Sequence, residues 1–87
     1  MVVLIEFTIE PFVEGQPGGH VTAAIDAARA HGVGVEIGPF GSSCLVPAAQ
    51  VGSLVADVTN AAFVNGATHV SVHAERVDDV QSGASEI

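Results

Sequence analysis

Apolar and polar residues alternate along the first part of the chain, from Val2 to Glu10. The apolar side chains would lie on one side and the polar ones on the other: Val3, Ile5, Phe7 and Ile9 against Glu6, Thr8 and Glu10. A period of two with β-branched and aromatic residues predicts a strand with one polar face. Shorter alternations predict further strands at residues 33–37, 42–46 and 68–77.

Two other segments carry apolar residues at the spacing of an α-helix. The stripe in residues 20–31 consists of Val21, Ala24, Ile25 and Ala28. Gly32 follows, at the position where a helix commonly ends. The stripe in residues 48–65 consists of Val51, Leu54, Val55, Val58 and Ala62. Pro47 suits the first position of this second helix, because it has no N–H that needs an intrahelical partner.

The predicted order of elements, β-α-β-β-α-β, is that of an α+β ferredoxin-like sandwich. It implies a four-stranded antiparallel sheet with the first strand near its centre, and right-handed crossovers would place both helices on one face. A Gly-Pro-Phe-Gly reversal at residues 38–41 would join the middle strands as a hairpin. The alternative is an isolated α/β fragment of a larger protein. We expect one domain over residues 1–78 and a flexible acidic tail over residues 79–87.

The charge of the chain narrows the range of partners. Its 87 residues carry 10 acidic side chains against 2 basic ones, for a formal net charge of -8. Nucleic acid requires cations that replace condensed counterions, and an anionic membrane surface requires a polybasic segment, so neither partner is expected. No apolar run approaches the ~20 residues of a membrane span. The single cysteine, Cys44, cannot form an internal disulfide, which predicts a cytoplasmic protein.

The sheet face turned away from the helices would carry a concentration of polar side chains. From the alternation in each strand, this face would display Glu6, Thr8, Glu36, Ser43, Leu45, Ser71 and His73. Glu6 and Thr8 would lie at its centre, because the first strand is central in this topology. The polar residues are either solvated groups on a wet surface or the lining of a polar pocket. If another subunit covers the face, each buried polar group needs a ligand, a water or another side chain as its partner.

The histidines of the last strand do not predict a metal site. His69 and His73 would share a face, but about 13 Å would separate them on a strand that rises ~3.3 Å per residue. A zinc ion needs about four ligands, and Cys44 is predicted on the opposite face. His73 with Glu6 would at most form a general base, and no nucleophile motif accompanies them. We therefore expect no metal, no cofactor and no enzymatic activity.

Four short stretches resemble the thiamine-binding, YkoF-like family of small proteins. The most specific is VEIGPFG at residues 35–41, which is followed by two serines and is similar to the family's Glu-x-Gly-Pro-x-Gly-Thr turn. The others are IEP at residues 9–11, AAFVNGA at residues 61–67 and RVD at residues 76–78. The resemblance covers residues 2–79. The chain departs from the family pattern in its serines, where threonines are common, and in its acidic tail.

This resemblance implies a ferredoxin-like subunit that assembles into dimers or tetramers and binds thiamine or its hydroxymethylpyrimidine moiety near subunit interfaces, without established enzymatic activity. Carried over by position, the ligand site would be lined by Glu36, Gly38, Pro39, Phe40, Gly41, Ser42 and Ser43. The polar face adds Glu6, Thr8, Ser71 and His73. Phe40 would stack on the ligand ring or anchor a core or an interface. The alternative function is a structural or regulatory domain that self-associates without a thiamine ligand.

Overall fold

The computed structural model describes residues 1–11, 18–39 and 41–77. Its elements are β1 (Val2–Glu10), α1 (Gly19–Arg29), β2 (Val35–Gly38), β3 (Gly41–Pro47), α2 (Val51–Val64) and β4 (His69–Arg76), with a short 3-10 helix at Ala48–Gln50. The strands form one antiparallel sheet in the order β2-β3-β1-β4, and the two helices pack together on one of its faces. The predicted α+β ferredoxin-like arrangement is confirmed.

The core lies between the helices and the side of the sheet that carries the odd-numbered residues of β1. Ile5 and Phe7 are only 1% and 3% exposed, and they belong to one buried cluster with Leu54 of α2. The predicted apolar faces supply the rest of this cluster: Val3, Ile9, Ala24, Ile25, Ala28, Cys44, Val46, Val58 and Ala62. Because side chains alternate along a strand, the even-numbered residues of β1, including Glu6 and Thr8, face away from the helices.

Pro47 does not begin the second helix, which corrects the sequence prediction. It is the last residue of β3, with an extended backbone at φ −62° and ψ 144°. Ala48 then donates its backbone N–H to the Met1 carbonyl oxygen at 2.9 Å, which holds the chain against the first strand. The 3-10 helix at Ala48–Gln50 makes the transition, and α2 begins only at Val51.

The first helix and the second strand are also shorter than predicted at one end. α1 ends at Arg29, because the backbone N–H of His31 bonds to the Ala28 carbonyl at 3.1 Å in a tighter i→i−3 turn. Gly32 then leaves the helix with a positive φ of 80°. β2 begins at Val35, the first of its residues with a partner on β3. The remaining ends agree with the prediction to within one residue.

The lone cysteine makes stability dependent on pH in the alkaline range. Burial raises the pKa of the Cys44 thiol above its ordinary value of 9.0. The neutral thiol is therefore favoured in the folded state, so its stabilising effect is complete below pH 9.0 and is lost as the pH rises through the higher folded-state pKa. The chain contains neither Tyr nor Lys, the other side chains that ordinarily titrate at alkaline pH.

We expect the free energy of unfolding to decline above pH 9.0 in the wild type and to decline less in Cys44→Ala. Urea denaturation at a series of pH values measures both curves. Parallel curves for the two proteins would contradict a titrating thiol as the cause.

Two predictions fall on residues outside the described ranges. They concern Phe40 and the acidic tail at residues 79–87, whose roles stay predictions. Among the described residues, none of the helices is both long enough and apolar enough to cross a membrane.

Candidate functional site

The open face of the sheet, which is the side turned away from both helices, carries a row of polar residues across all four strands. Glu6 of β1 pairs with Ser43 of β3 on one side and with His73 of β4 on the other. Glu36 of β2 pairs with Ser43 from its far side. The two glutamates are therefore separated by two strand spacings, about 10 Å at the backbone. We call these four residues the polar row.

Beside the polar row, the face has small side chains or none. Thr8 of β1 pairs with Ser71 of β4, and Gly41 of β3 lies next to Thr8 and pairs with Gly38 of β2. The approach at Gly41 is close, since a Cβ there would lie 2.9 Å from the Phe7 carbonyl oxygen and 3.7 Å from Thr8 Oγ1. Because these two glycines have no side chains, the surface of the sheet is recessed next to the carboxylates.

An open depression of about 760 Å³ results, which is a typical volume for a small-molecule site. Its lining consists of Glu6, Phe7, Thr8, Glu36, Ile37, Gly38, Pro39, Gly41, Ser42, Ser43, Ser71, Val72 and His73. Ten of the eleven residues singled out in the sequence are thus brought to one place. Phe40, the eleventh, lies outside the described residues.

The two serines of the turn occupy different sides of the sheet. Ser43 belongs to the polar row on the open face, whereas Ser42 pairs with Phe7 and Ile37 in the row that faces the helices. Ser42 is only 7% exposed. The resemblance placed both serines in the site, but the strand register presents the side chain of only Ser43 to the open face.

Sequence reasoning missed three residues at the border of the depression, namely Phe7, Ile37 and Val72. The alternation assigns all three to the helix side, which the register confirms. Ile37 and Val72 lie on the outer strands and are 62% and 38% exposed. Their place at the rim follows from the order of the strands, which the alternation within each strand does not show.

Within the part of the chain that the structure describes, the carboxylates of the polar row have no ion-pair partner. Among the described residues, the side chains of Glu6, Glu36 and Ser43 have no hydrogen-bond or ion-pair partner. His73 Nε2 lies 3.1 Å from Glu75 Oε1, so its polar tip is engaged with a residue that does not line the depression. Unpaired carboxylates favour a ligand that brings hydrogen-bond donors or positive charge.

The acidic and imidazole groups of the described residues are not clustered as metal ligands. Within the described ranges, no group of three or more His, Cys, Asp or Glu side chains is placed to hold a metal ion. Cys44 faces the helices and is 4% exposed. His69 lies 3.7 Å from Glu10 and does not line the depression. The groups available to a ligand are carboxylates, hydroxyls and the strand backbone.

Fold and depression together define a ferredoxin-like α+β domain with a polar candidate site on its open sheet face. The chain is similar in structure to a domain of unknown function, DUF77, from Bacillus cereus, with a TM-score of 0.67, 20% identity, and coverage of 91% of this chain and 79% of that one. It is also similar to a protein from Thermotoga maritima provisionally assigned to thiamine biosynthesis or salvage, with a TM-score of 0.65, 14% identity and 100% of both chains covered.

A hypothetical protein from Methanocaldococcus jannascii shows the same likeness, with a TM-score of 0.63, 18% identity, and coverage of 99% of this chain and 98% of that one. No protein-family model matches the chain, and no curated protein matches it. At these identities the likenesses establish the fold alone.

Proposed function

We propose that the protein is a non-enzymatic small-molecule binding protein whose ligand is thiamine or its hydroxymethylpyrimidine moiety. The observation that carries the proposal is the pair of carboxylates, Glu6 and Glu36, on either side of Ser43 at the depression. Two acidic groups that face an open pocket, with no cationic partner among the described residues, select for a ligand that supplies donors or positive charge.

Thiamine matches these groups with both of its rings. The aminopyrimidine presents an amino group, for which the carboxylate of Glu6 or Glu36 is a charged acceptor. Its ring nitrogens accept hydrogen bonds, which the hydroxyls of Ser43 and Ser71 can donate. The thiazolium ring carries a permanent positive charge, and a chain with a net charge of -8 attracts cations over a long range.

Three further points support the proposal. Gly38 and Gly41 have no side chains, so a flat ring can approach the sheet backbone beside the carboxylates. Of the stretch that carries the family resemblance, Glu36, Ile37, Gly38, Pro39 and Gly41 line the depression. The structural neighbour from Thermotoga maritima is provisionally assigned to thiamine biosynthesis or salvage.

We also propose a cytoplasmic location, because a lone buried cysteine requires no oxidising compartment.

Titration calorimetry with thiamine tests the proposal on the full chain. We expect saturable binding in the wild type and binding weaker by about tenfold to a hundredfold in Glu36→Gln, since a hydrogen bond to a charged group contributes ~1.5–3 kcal/mol. Glu10→Gln is the matched control, because Glu10 is also on the open side of β1 but does not line the depression. It removes the same charge and should leave the affinity nearly unchanged.

Two results would contradict the proposal. No heat of binding at millimolar thiamine would exclude this ligand. An equal loss of affinity in Glu10→Gln and Glu36→Gln would show that net charge acts on the ligand and that the contact at Glu36 does not form.

A second candidate function is a self-associating domain without a small-molecule ligand. Leu45 favours it, because this residue lies on the open face and is 56% exposed. If the face serves only to join subunits, Glu6→Leu leaves the oligomer intact or strengthens it, since an apolar residue replaces a buried carboxylate. Dissociation of Glu6→Leu in sedimentation experiments would count against this function.

A further inference from the structure

The open face of the sheet carries charge of one sign on three of its four strands. The register places four carboxylates there: Glu6 and Glu10 of β1, Glu36 of β2 and Glu75 of β4. In the described ranges, none of these carboxylates forms an ion pair with an arginine. The face therefore repels an anionic group that approaches the depression.

The permanent cations of the chain lie away from this face. The sequence has two arginines and no lysine, and both arginines fall within the described residues. Arg29 is the last residue of α1, and Arg76 pairs with Val3 in the row that faces the helices. Neither arginine lines the depression. Residues outside the described ranges contribute no further Arg, Lys or His, because the sequence contains none there.

The two histidines of the open face each lie beside a carboxylate. His69 Nδ1 is 3.7 Å from Glu10 Oε1, and His73 Nε2 is 3.1 Å from Glu75 Oε1. His73 lines the depression, whereas Glu75 does not. A protonated His73 would thus be neutralised by its own strand, and it would offer little net positive charge to an anionic ligand.

A helix N-terminus, the other common anion-binding feature, is also missing from the described lining of the depression. Every lining residue belongs to one of the four strands or to the turn between β2 and β3. Anion sites at helix N-termini need backbone N–H groups that point at the ligand. The hydroxyls of Thr8, Ser43 and Ser71 remain as donors, but they are neutral and do not offset the carboxylates.

We propose that the depression takes thiamine in its unphosphorylated form and excludes its phosphate esters through the negative charge of the open face. The inference rests on the proposed function, since it concerns the ligand of the same site. A phosphate monoester adds a charge of about −1.5 to −2 at pH 7. This charge outweighs the single positive charge of the thiazolium ring, so esterification turns attraction to the face into repulsion.

The exclusion does not depend on which way the ligand lies along the polar row. Glu6 and Glu36 are two strand spacings apart, about 10 Å at the backbone. If Glu36 accepts the aminopyrimidine, the hydroxyethyl end that carries the ester points towards Glu6 and Glu75. In the reverse orientation it points towards Glu36. Charges repel over about 10 Å at 0.1 M salt, so either orientation sets the phosphate against a carboxylate.

Titration calorimetry of the full chain with thiamine, thiamine monophosphate and thiamine diphosphate tests the inference. The titrations contain EDTA and are made at about pH 8, well above the second pKa of a phosphate ester at about 6. We expect the monophosphate to bind at least about tenfold more weakly than thiamine, and the diphosphate at least about a hundredfold. Both ratios should decrease between about 0.05 M and about 0.5 M NaCl, because salt screens the repulsion.

Glu75→Gln identifies the charge as the cause. This variant keeps the shape of the side chain and removes the carboxylate beside His73, so the ratio of thiamine to monophosphate affinity should decrease by about threefold or more. Asp26→Asn is the matched control. Asp26 is exposed on α1, on the other side of the sheet, so the same loss of charge should leave the ratio unchanged.

The outcomes separate this inference from the proposed function. Equal binding of thiamine and its monophosphate overturns the inference and leaves the proposed function standing. A preference for thiamine that is unchanged by salt or in Glu75→Gln assigns the selection to shape, and it overturns the inference as well. No binding of thiamine overturns the proposed function and this inference with it.

A repeat of the titrations in millimolar Mg²⁺ tests the opposite use of the carboxylates. Mg²⁺ is commonly held by one or two carboxylates together with substrate phosphates. We expect the diphosphate to remain the weaker ligand under these conditions, since no group of three or more candidate ligands is placed to hold a metal ion in the described ranges. Diphosphate binding as tight as that of thiamine would show a metal-bridged site and overturn the inference.

Discussion

Replacing Leu54 by Ala is expected to lower the free energy of unfolding by about 2–5 kcal/mol, the range for a leucine truncated in a packed core. Leu54 has no exposed surface and lies in the same buried cluster as Ile5 and Phe7. The neighbouring side chains fill the resulting cavity only in part. Since a chain of this length has a total stability of roughly 4–13 kcal/mol, the variant should lose a large share of it.

Urea denaturation measures this loss, with Val64→Ala as the control. Val64 belongs to the same helix but is 84% exposed, so its truncation should change the stability by no more than about 0.5 kcal/mol. The fraction of Leu54→Ala that remains folded should bind thiamine like the wild type, because Leu54 lies on the opposite side of the sheet from the depression. Similar losses in both variants would contradict the position of Leu54 in the core.

A methyl group at Gly41 is expected to disturb the fold and the candidate site together. A Cβ there would lie 2.9 Å from the Phe7 carbonyl oxygen, a distance that Cβ atoms essentially never show. The contact is with backbone, which cannot rotate away, so β1 and β3 must move apart at Thr8. We expect Gly41→Ala to lower the free energy of unfolding by about 1–3 kcal/mol, the usual range for overpacking, and to weaken thiamine binding.

Gly34→Ala is the matched control for this substitution. Gly34 is exposed, and a Cβ there would meet no atom within 4 Å. Its replacement should leave binding unchanged and either preserve the stability or raise it by about 0.4–1 kcal/mol, because alanine restricts the unfolded chain. Calorimetry and urea denaturation on both variants provide the test. Wild-type stability and affinity in Gly41→Ala would show that the strands adjust without cost.

The type and order of the elements were predictable because each element carries its own period. β1 has the predicted bounds, Val2–Glu10, since its alternation is uninterrupted and Pro11 follows it. Leu54, Val58 and Ala62 were predicted on one face of the second helix, and all three are buried. A hydrophobic face can be found from local spacing alone, because burial repeats with the geometry of the element.

The ends of the elements were less predictable because they depend on partners elsewhere in the chain. Proline is common at the start of a helix, yet Pro47 pairs with Val2 of β1 and is the last residue of β3. Val35 begins β2 only because β3 offers it a partner at Cys44. Neither partner is visible in the local sequence pattern.

The open face and its polar members followed from the alternation together with the β-α-β-β-α-β order. The resemblance at residues 35–41 added the turn, and both sets line one depression, with Phe40 outside the described residues. The side of Ser42 and the rim positions of Ile37 and Val72 required the register and the order of the strands. A motif shared along the sequence does not indicate which of two adjacent residues faces a ligand.

Local periodicity was sufficient to place Glu6 and Glu36 on the polar side of their strands, because a side chain's face depends only on its position in the strand. Local periodicity does not determine that Glu6 and Glu36 lie on either side of Ser43, since three strands from distant parts of the chain must pair in one register. A slip by one residue would turn a whole strand to the other face. Long-range hydrogen bonding and the packing of Ile5, Val46 and Leu54 settle that register, and with it the depression.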